Sequence, residues 1–420
     1  MFGYAAIFFI LMGVTLLSPL VLRWLNYPFR GPGQFLFGVA GRLAADNFAR
    51  APVRTSVPVA TLSFGVAMAV TLAAFLGSFQ KSADEWIAQA IPADLFVTSS
   101  AKLAGVQNQP MQPAIGDELL TIPEIELIDP VRLLQHDALG LRIFVISLNQ
   151  EIYSSRGKPL VLEGTLPTAA QRDANYVVLS ENLARRRNLG IGSTFPMKTP
   201  TGEHTYTVGA IIIDYTSDQG SVIMDRQVFV KQFLSDQVDT FHVYLKDRQT
   251  LEQTRAAITA KLGKRFDLFV LSNVELRDEA RKLLTSAFSI TYAMEVVAVA
   301  LALLGIINTL LAAVLDRTRE IGLLRAVGAD RKQIIKLFAA EAFFIGLTGS
   351  LIGAMTGGVV GYIVTKIVGV QGTGWNFPFA YPWDTAVQMV IVATLAAIVA
   401  GLYPARRAAR LDVVEALAYE

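Results

Sequence analysis

The chain has 420 residues, 53% of them hydrophobic and only 17% charged, with a mean hydropathy of +0.44; a soluble domain carries about a quarter charged residues, so this balance points to lipid. A formal net charge of +2 leaves no concentrated basic face, which sets nucleic acid aside as a partner. With no cysteine there is neither a disulfide framework nor a thiolate metal site, and His136, His204 and His242 are scattered among strand-like stretches rather than spaced as ligands to a metal.

A membrane-crossing helix needs about 20 mostly apolar residues. In chain order the stretches 4–24, 57–79, 296–315, 337–368 and 385–403 meet that need. The first lacks a basic n-region and keeps Arg23 at its far end, so it reads as a retained helix and not a signal peptide. The expected organisation is an extra N-terminal helix over 1–24, a cytoplasmic link with an amphipathic elbow over 25–56, a span over 57–79, an extracytoplasmic domain over 80–285, and a three-span core over 286–420. The fold class is therefore a multispan α-helical membrane protein with a large extracytoplasmic α+β domain inserted between its second and third spans.

Orientation follows from the basic residues, because cytoplasmic loops retain Lys and Arg. Arg30, Arg42, Arg50 and Arg54 lie in the first link, Arg317, Arg319, Arg325, Arg331 and Lys332 follow the third span, and Arg406, Arg407 and Arg410 follow the last. These segments belong inside, whereas 369–383 has no Lys or Arg and belongs outside with 80–285. The N-terminus then falls outside with almost nothing before the first span. That arrangement suggests the second half of a longer protein, the alternative being a short natural variant.

In the external domain the pattern changes to alternating strands and short helices. Phe241, Val243 and Leu245 alternate with His242, Tyr244 and Lys246, a half-buried strand by period, and 206–213 reads as the return strand after a Pro200-Thr201-Gly202 turn. Thr250 with Gln253 forms a capping box, and Gly263 is placed to end that helix. Asp84, Glu85, Asp214, Asp218 and Asp225 are dispersed, and no hydrolase or metalloprotease signature accompanies them, so an enzyme is not expected. Ser217-Asp218-Gln219-Gly220 reads as a surface loop. Ser272 and Glu275 make a second capping box, after which no Pro or Gly interrupts the chain before Gly305, predicting one long helix from the domain into lipid.

The segment after the third span is the most informative. Asp316, Arg317, Arg319 and Glu320 appear where the helix leaves lipid, and Ile321, Leu324 and Val327 continue an apolar face. Gly328 can take the left-handed conformation that stops the helix, and Asp330 with Gln333 can cap the next. The result is a helical elbow over 315–335 that mixes charge with an apolar ridge, as a docking element would. The same arginines also satisfy positive-inside anchoring.

The run Arg319-Glu-Ile-Gly-Leu-Leu-Arg-Ala-Val-Gly-Ala329 closely resembles the cytoplasmic signature of FtsX/MacB-like ABC transporter permeases, and 403–417 resembles that family's C-terminus. The likeness extends from about Arg42 to the end; Asp316 stands where Glu is commoner, and the span at 4–24 departs from a four-span unit. The resemblance implies a permease in the bacterial inner membrane whose elbow, through Arg317, Arg319, Glu320, Ile321, Gly322, Leu324, Arg325 and Gly328, contacts a separate ABC ATPase subunit. It implies no cofactor on this chain, ATP and magnesium being used by the partner; no Gly-x-x-x-x-Gly-Lys-[Ser/Thr] loop occurs in the sequence. Implied partners are that ATPase, a second permease copy or companion half, and an extracytoplasmic protein. The implied activity is export or extraction of a lipid, lipoprotein, peptide or drug. The alternative is a non-transporting FtsX-like signalling subunit that activates an external partner such as a cell-wall hydrolase.

Two features of the spans bear on mechanism. Gly349, Gly353, Gly357 and Gly361 recur every four residues, a smooth stripe that lets helices approach closely in lipid. Glu295 and Glu341 fall near the ends of their spans, where an interfacial position avoids the cost of a carboxylate at depth. Asn308 is the polar group expected within lipid, bonding between helices. With no polar chain lining any span, the pattern fits a machine that transmits force better than a hydrophilic pore.

Overall fold

The computed structural model describes residues 2–50, 52–90, 92–99, 109–279, 281–282 and 327–409, with isolated positions between 286 and 308. The chain divides into two compact units: Met1–Ser78, Phe288–Val368 and Pro378–Glu420 form the first, Phe79–Ala287 and Gly369–Phe377 the second. Among the described residues four helices are long and apolar enough to cross a membrane, Gly3–Leu22, Thr55–Ile87, Arg331–Gly372 and Trp383–Tyr403. The expected span over 296–315 lies largely outside the described residues, but its described positions, Val296, Val297, Ala300, Leu304, Ile307 and Asn308, are helical.

The first unit is built from α1 (Phe2–Phe37), α2 (Val39–Arg50), most of α3 (Pro52–Ala90), α10 (Arg331–Ile363) and α11 (Trp383–Ala409). Helix α1 continues well past position 24 and stops at Gly38, whose φ of +65° turns the chain into α2. The elbow α2 is amphipathic in fact as in sequence: Ala44 and Ala45 are buried in a core with Leu22, Leu337, Ala340 and Phe344, while Arg42 faces out. Glu341, expected near the end of its span, is covered by protein. It is 7% exposed, and Asn47 Nδ2 of α2 donates to its Oε1 at 3.1 Å. A hydrogen bond from a neighbouring helix makes such burial tolerable.

The second unit is α+β. Its strands are β1 (Leu95–Thr98), β2 (Ile125–Ala138), β3 (Leu141–Leu148), β4 (Val161–Gly164), β5 (Tyr176–Ser180), β6 (Thr194–Thr199), β7 (Gly202–Ile212), β8 (Ser221–Asp225), β9 (Thr240–Leu245) and β10 (Phe269–Ser272). They pair in the order β10-β1-β9-β2-β3-β8-β5-β7-β4, with β6 on β7 as the expected hairpin. Helices α4 (Ala114–Leu120), α5 (Gln150–Arg156), α6 (Ala169–Asp173), α7 (Glu181–Arg187), α8 (Arg226–Phe233) and α9 (Leu251–Ile258) accompany the sheet. One core gathers Leu95, Leu119, Phe241, Val243 and Ile258, and another Val145, Leu179, Tyr206, Val222 and Phe229.

Local signals in this unit were partly displaced by better competitors. Strand β9 is not half-exposed, because Tyr244 on its second face is buried with Ala93 and Phe96. Asp247 starts the next helix instead of Thr250: its carboxylate accepts from Gln249 N at 2.9 Å and a 3-10 turn, Arg248–Thr250, leads into α9. A carboxylate is the stronger acceptor for a first-turn N–H. Gly263 keeps a helical φ of −55°; a π turn over Thr259–Gly263 carries the chain on to Asp267, whose φ of +52° ends the helix. At the exit of the domain, Ser272 and Glu275 form the reciprocal bonds of a capping box, with Ser272 N to Glu275 Oε2 at 2.9 Å and Glu275 N to Ser272 Oγ at 3.2 Å. Residues 273–279, 281 and 282 that follow are helical.

Candidate functional site

Of the elbow residues singled out in the sequence, Arg317, Arg319, Glu320, Ile321, Gly322, Leu324 and Arg325 lie outside the described residues. Gly328 is described. Its φ is +102°, and nothing lies within 4 Å of the place a Cβ would take, so the backbone conformation, not packing, calls for glycine. Asp330 and Gln333 form the capping box of α10, Asp330 N donating to Gln333 Oε1 at 2.9 Å. Ala329 packs beside Ile334, Phe338 and Ala405, so the end of the elbow rests on the start of α10 and the end of α11.

The glycine stripe of α10 lies along α3. A Cβ at Gly349 would meet Val59 O at 3.0 Å, at Gly353 Ser63 O at 2.6 Å, at Gly357 Ala67 O at 2.7 Å, and at Gly361 the Ala74 methyl at 2.9 Å. From Gly349 to Gly357 each contact advances four residues on both helices, and Gly361 continues the line onto Thr71 and Ala74, so the two axes run side by side with backbone nearly touching backbone. Thr71 Oγ1 adds a hydrogen bond to Gly357 O at 3.1 Å. The other face of α10 meets α11, where a Cβ at Gly346 would lie 2.8 Å from the Ala397 methyl.

Within the second unit, the segment Gly369–Phe377 is held by a clasp that sequence reading missed. Trp375 stacks on Phe79 with ring centroids 6.1 Å apart and meets Tyr215 edge-on at 5.7 Å, while Phe377 contacts Phe79 at 5.0 Å and Tyr215 at 5.3 Å. Trp86, in the last turns of α3, meets Tyr215 at 5.9 Å. Trp375 Nε1 donates to Ser217 O at 3.2 Å. Arg186 Nη2 donates to Gly372 O at 3.3 Å. Gly374, with φ +77°, approaches α7 so closely that a Cβ would sit 2.8 Å from Asn182 Cβ. Aromatic pairs of this kind contribute about 0.5–1.5 kcal/mol each beyond the area they bury.

The loop that receives Trp375 is anchored from beneath. Asp214, 5% exposed, accepts from Thr216 N at 3.1 Å, from Thr216 Oγ1 at 2.6 Å and from Ser221 Oγ. Burial pushes its carboxyl above the ordinary range, and the hydroxyl bonds oppose that rise. Burial likewise pushes the Tyr215 hydroxyl up to about 12. Asn182 Nδ2 donates to Ser217 O at 2.8 Å, and Gly220, φ +102°, closes the loop against Leu183. The Ser217–Gly220 stretch, read from sequence as a surface loop, is thus a seat for Trp375, with Asp218 its exposed corner.

The remaining candidates stay apart. His136 lies edge-on to Phe233, His204 bonds Thr201 Oγ1 at 2.9 Å, and His242 is half-buried, edge-on to Phe96. Among the described residues no group of three or more His, Cys, Asp or Glu converges as a metal site.

Apolar membrane-length helices carrying a large α+β unit define a multi-pass membrane protein built around an external domain. Residues 55–261 match the MacB-like periplasmic core domain, and residues 292–413 match the FtsX-like permease C-terminal family. An uncharacterised ABC transporter permease protein of Mycobacterium tuberculosis is 25% identical over 426 residues, covering 100% of this chain and 50% of the relative. The macrolide export ATP-binding/permease protein MacB of Escherichia coli is 27% identical over 392 residues, 88% of this chain and 58% of the relative. The crystal structure of the periplasmic region of MacB from Actinobacillus actinomycetemcomitans aligns with 46% of this chain and 94% of its own, at 11% identity and a TM-score of 0.35. The chain spans about half the length of these curated relatives. The chain thus carries a MacB-like periplasmic core domain followed by an FtsX-like permease C-terminal region, a multi-pass inner-membrane arrangement with the α+β domain on the extracytoplasmic side.

Proposed function

We propose that this chain is the permease element of an ABC transporter that converts ATP hydrolysis, carried out by an ATPase outside these 420 residues, into motion of its extracytoplasmic domain, exporting or extracting a hydrophobic substrate such as a lipid, lipoprotein, peptide or drug. The clasp on Gly369–Phe377 carries this reading. That segment is continuous in sequence with α10 before it and α11 after it, so displacement of either span pulls on Trp375 and Phe377 and hence on the loop anchored by Asp214. Helix α3, which reaches Trp86 of the same aromatic cluster, supplies a second path. The glycine contacts between α3 and α10 make the spans move together, because backbone against backbone leaves no compliant side chain to absorb a shift. The related MacB proteins join ATP-binding and permease functions by name, which supports an ATPase as the driver.

The elbow over 315–335 is the proposed grip for that ATPase. Purification from native membranes tests it: the ATPase is expected to accompany the wild-type chain and to be lost when Glu320→Arg and Arg325→Glu reverse the charges of the elbow. Full retention in the doubly reversed chain would contradict the assignment.

A further inference from the structure

The sheet of the second unit has a division that the two-core packing makes mechanical. Strand β2 pairs with β9 through Ile125–Val131 and with β3 through Arg132–Ala138, and no residue of β2 pairs with both. On one side β9, β1 and β10 form an inner wing whose core is Leu95, Leu119, Phe241, Val243 and Ile258. On the other, β3, β8, β5, β7 and β4 form an outer wing with separate cores. The inner wing is continuous in sequence with α3 and with the helix after Ser272. The outer wing contains the loop that holds Trp375.

Helix α5 crosses this division. Its Tyr153 belongs to an outer-wing core with Leu148 and Ile223, and Gln150 Nε2 donates to Ile223 O of β8 at 3.4 Å. Its other residues reach the inner wing: Ile152 packs with Phe96 and Tyr244, and Arg156 pairs with Glu126. At its root, Asn149 N donates to Asp129 Oδ1 at 2.9 Å, and Asp129 is only 2% exposed. A helix of seven residues fastened to both wings over a single shared strand is a strap.

We propose that the α+β unit is two wings hinged at Val131–Arg132 of β2, with α5 a releasable strap across the hinge and Asp129 its buried fastening. Each wing is packed around its own hydrophobic cores, and the hand-over on β2 leaves one strand to bend. Much of the restraint across the hinge is polar: the Asp129 and Arg156 contacts, and Asp239, just before β9, which accepts from Arg132 Nη1 at 2.5 Å and from Leu133 N at 2.7 Å. Polar ties exchange for water at small net cost, so they release more readily than a shared apolar core. The inner wing continues into α3 and the helix after Ser272, whereas the outer wing holds Gly369–Phe377 and meets α3 through side chains such as Trp86, so relative motion of these segments loads the hinge. This consequence rests on the transporter reading; the hinge itself does not.

The fastening also responds to pH. Burial pushes Asp129 up to about 7. The groups around it are Arg226 and Asp225 at the β8–α8 junction, His242 and Tyr244 on β9, and the Arg132–Asp239 pair. Opened to water, the carboxyl returns toward the ordinary value. The closed strap is therefore favoured at low pH and loses that advantage as pH rises through 7.

Because the chain has no cysteine, spin-label pairs can be placed freely in the full-length protein in nanodiscs, without ATPase or nucleotide. Labels at Gln253→Cys and Lys198→Cys report across the hinge, and labels at Glu163→Cys and Lys231→Cys report within the outer wing. In the strap variant Ile152→Ala/Arg156→Ala, the cross-hinge distance distribution is expected to broaden while the outer-wing distribution is unchanged. In the wild type, hydrogen exchange of the amides over 149–156, corrected for intrinsic rate, is expected to rise about tenfold or more between pH 5.5 and 8, and this rise is expected to vanish in Asp129→Asn. A cross-hinge distribution indifferent to the strap variant, or both pairs broadening together, overturns the hinge. A pH response that persists in Asp129→Asn overturns the fastening.

Discussion

The glycines of α10 allow a graded measurement of how closely the spans are packed. Adding one methyl at Gly353 places it 2.6 Å from Ser63 O and 2.8 Å from Val66 Cβ, and at Gly357 2.7 Å from Ala67 O and 2.8 Å from Val70 Cβ. A main-chain oxygen cannot rotate aside, so α3 and α10 must separate along their length, and overpacking of this kind costs about 1–3 kcal/mol. At Gly361 the nearest atom is a methyl at 2.9 Å, and at Gly349 the oxygen is at 3.0 Å, so the strain there is smaller. Gly13 in α1 has nothing within 4 Å, and alanine there is neutral or stabilising by up to about 1 kcal/mol through helix propensity. The assay is the unfolding free energy of each Gly→Ala variant in one detergent. The expected order of loss is Gly353→Ala and Gly357→Ala first, then Gly361→Ala and Gly349→Ala, with Gly13→Ala unharmed. Equal losses at Gly353 and Gly13 would refute the close approach of the two helices.

Further expectations concern the α+β unit. Asp214→Ala removes the acceptor for Thr216 and Ser221 and is expected to cost about 2–3 kcal/mol, with faster hydrogen exchange over 214–220; Asp214→Asn, which keeps one acceptor oxygen, should lose less. Burial lowers His242 to about 4, so the unfolded chain takes up a proton below its ordinary value while the folded chain does not. Stability is therefore lost as pH falls from about 6.5 to 4, by about 3 kcal/mol, and His242→Phe should remove that dependence in a thermal unfolding series across this window. Asp129 has the opposite sign, losing its contribution as pH rises toward 7.

The sequence disclosed what depends on near neighbours. Apolar length marks the described spans, the serine and glutamate at 272 and 275 announce their own capping box, and the four-residue glycine spacing identifies the smooth face of α10. It did not disclose what depends on distant partners. Trp375 and Tyr215 are far apart in the chain, and an aromatic turn between two spans gives no sign that it is gripped. Glu341 looks interfacial by its distance from the span end, and only the packing of α2 explains its burial with Asn47. Asp247 won over Thr250 because a capping box predicts competence to cap, not which of two neighbours will do so. The division of the sheet at Val131–Arg132 follows from register, which alternation in one strand cannot reveal.

In the proposed mechanism, movement of the spans reaches the external domain through the clasp on Gly369–Phe377. With the ATPase-bound complex in nanodiscs and a spin-label pair at Gln253 and Lys198, the nucleotide-driven distance change should be present in the wild type, nearly preserved in Trp375→Phe and abolished in Trp375→Ala, with ATP hydrolysis retained in all three. An undiminished distance change in Trp375→Ala would contradict it.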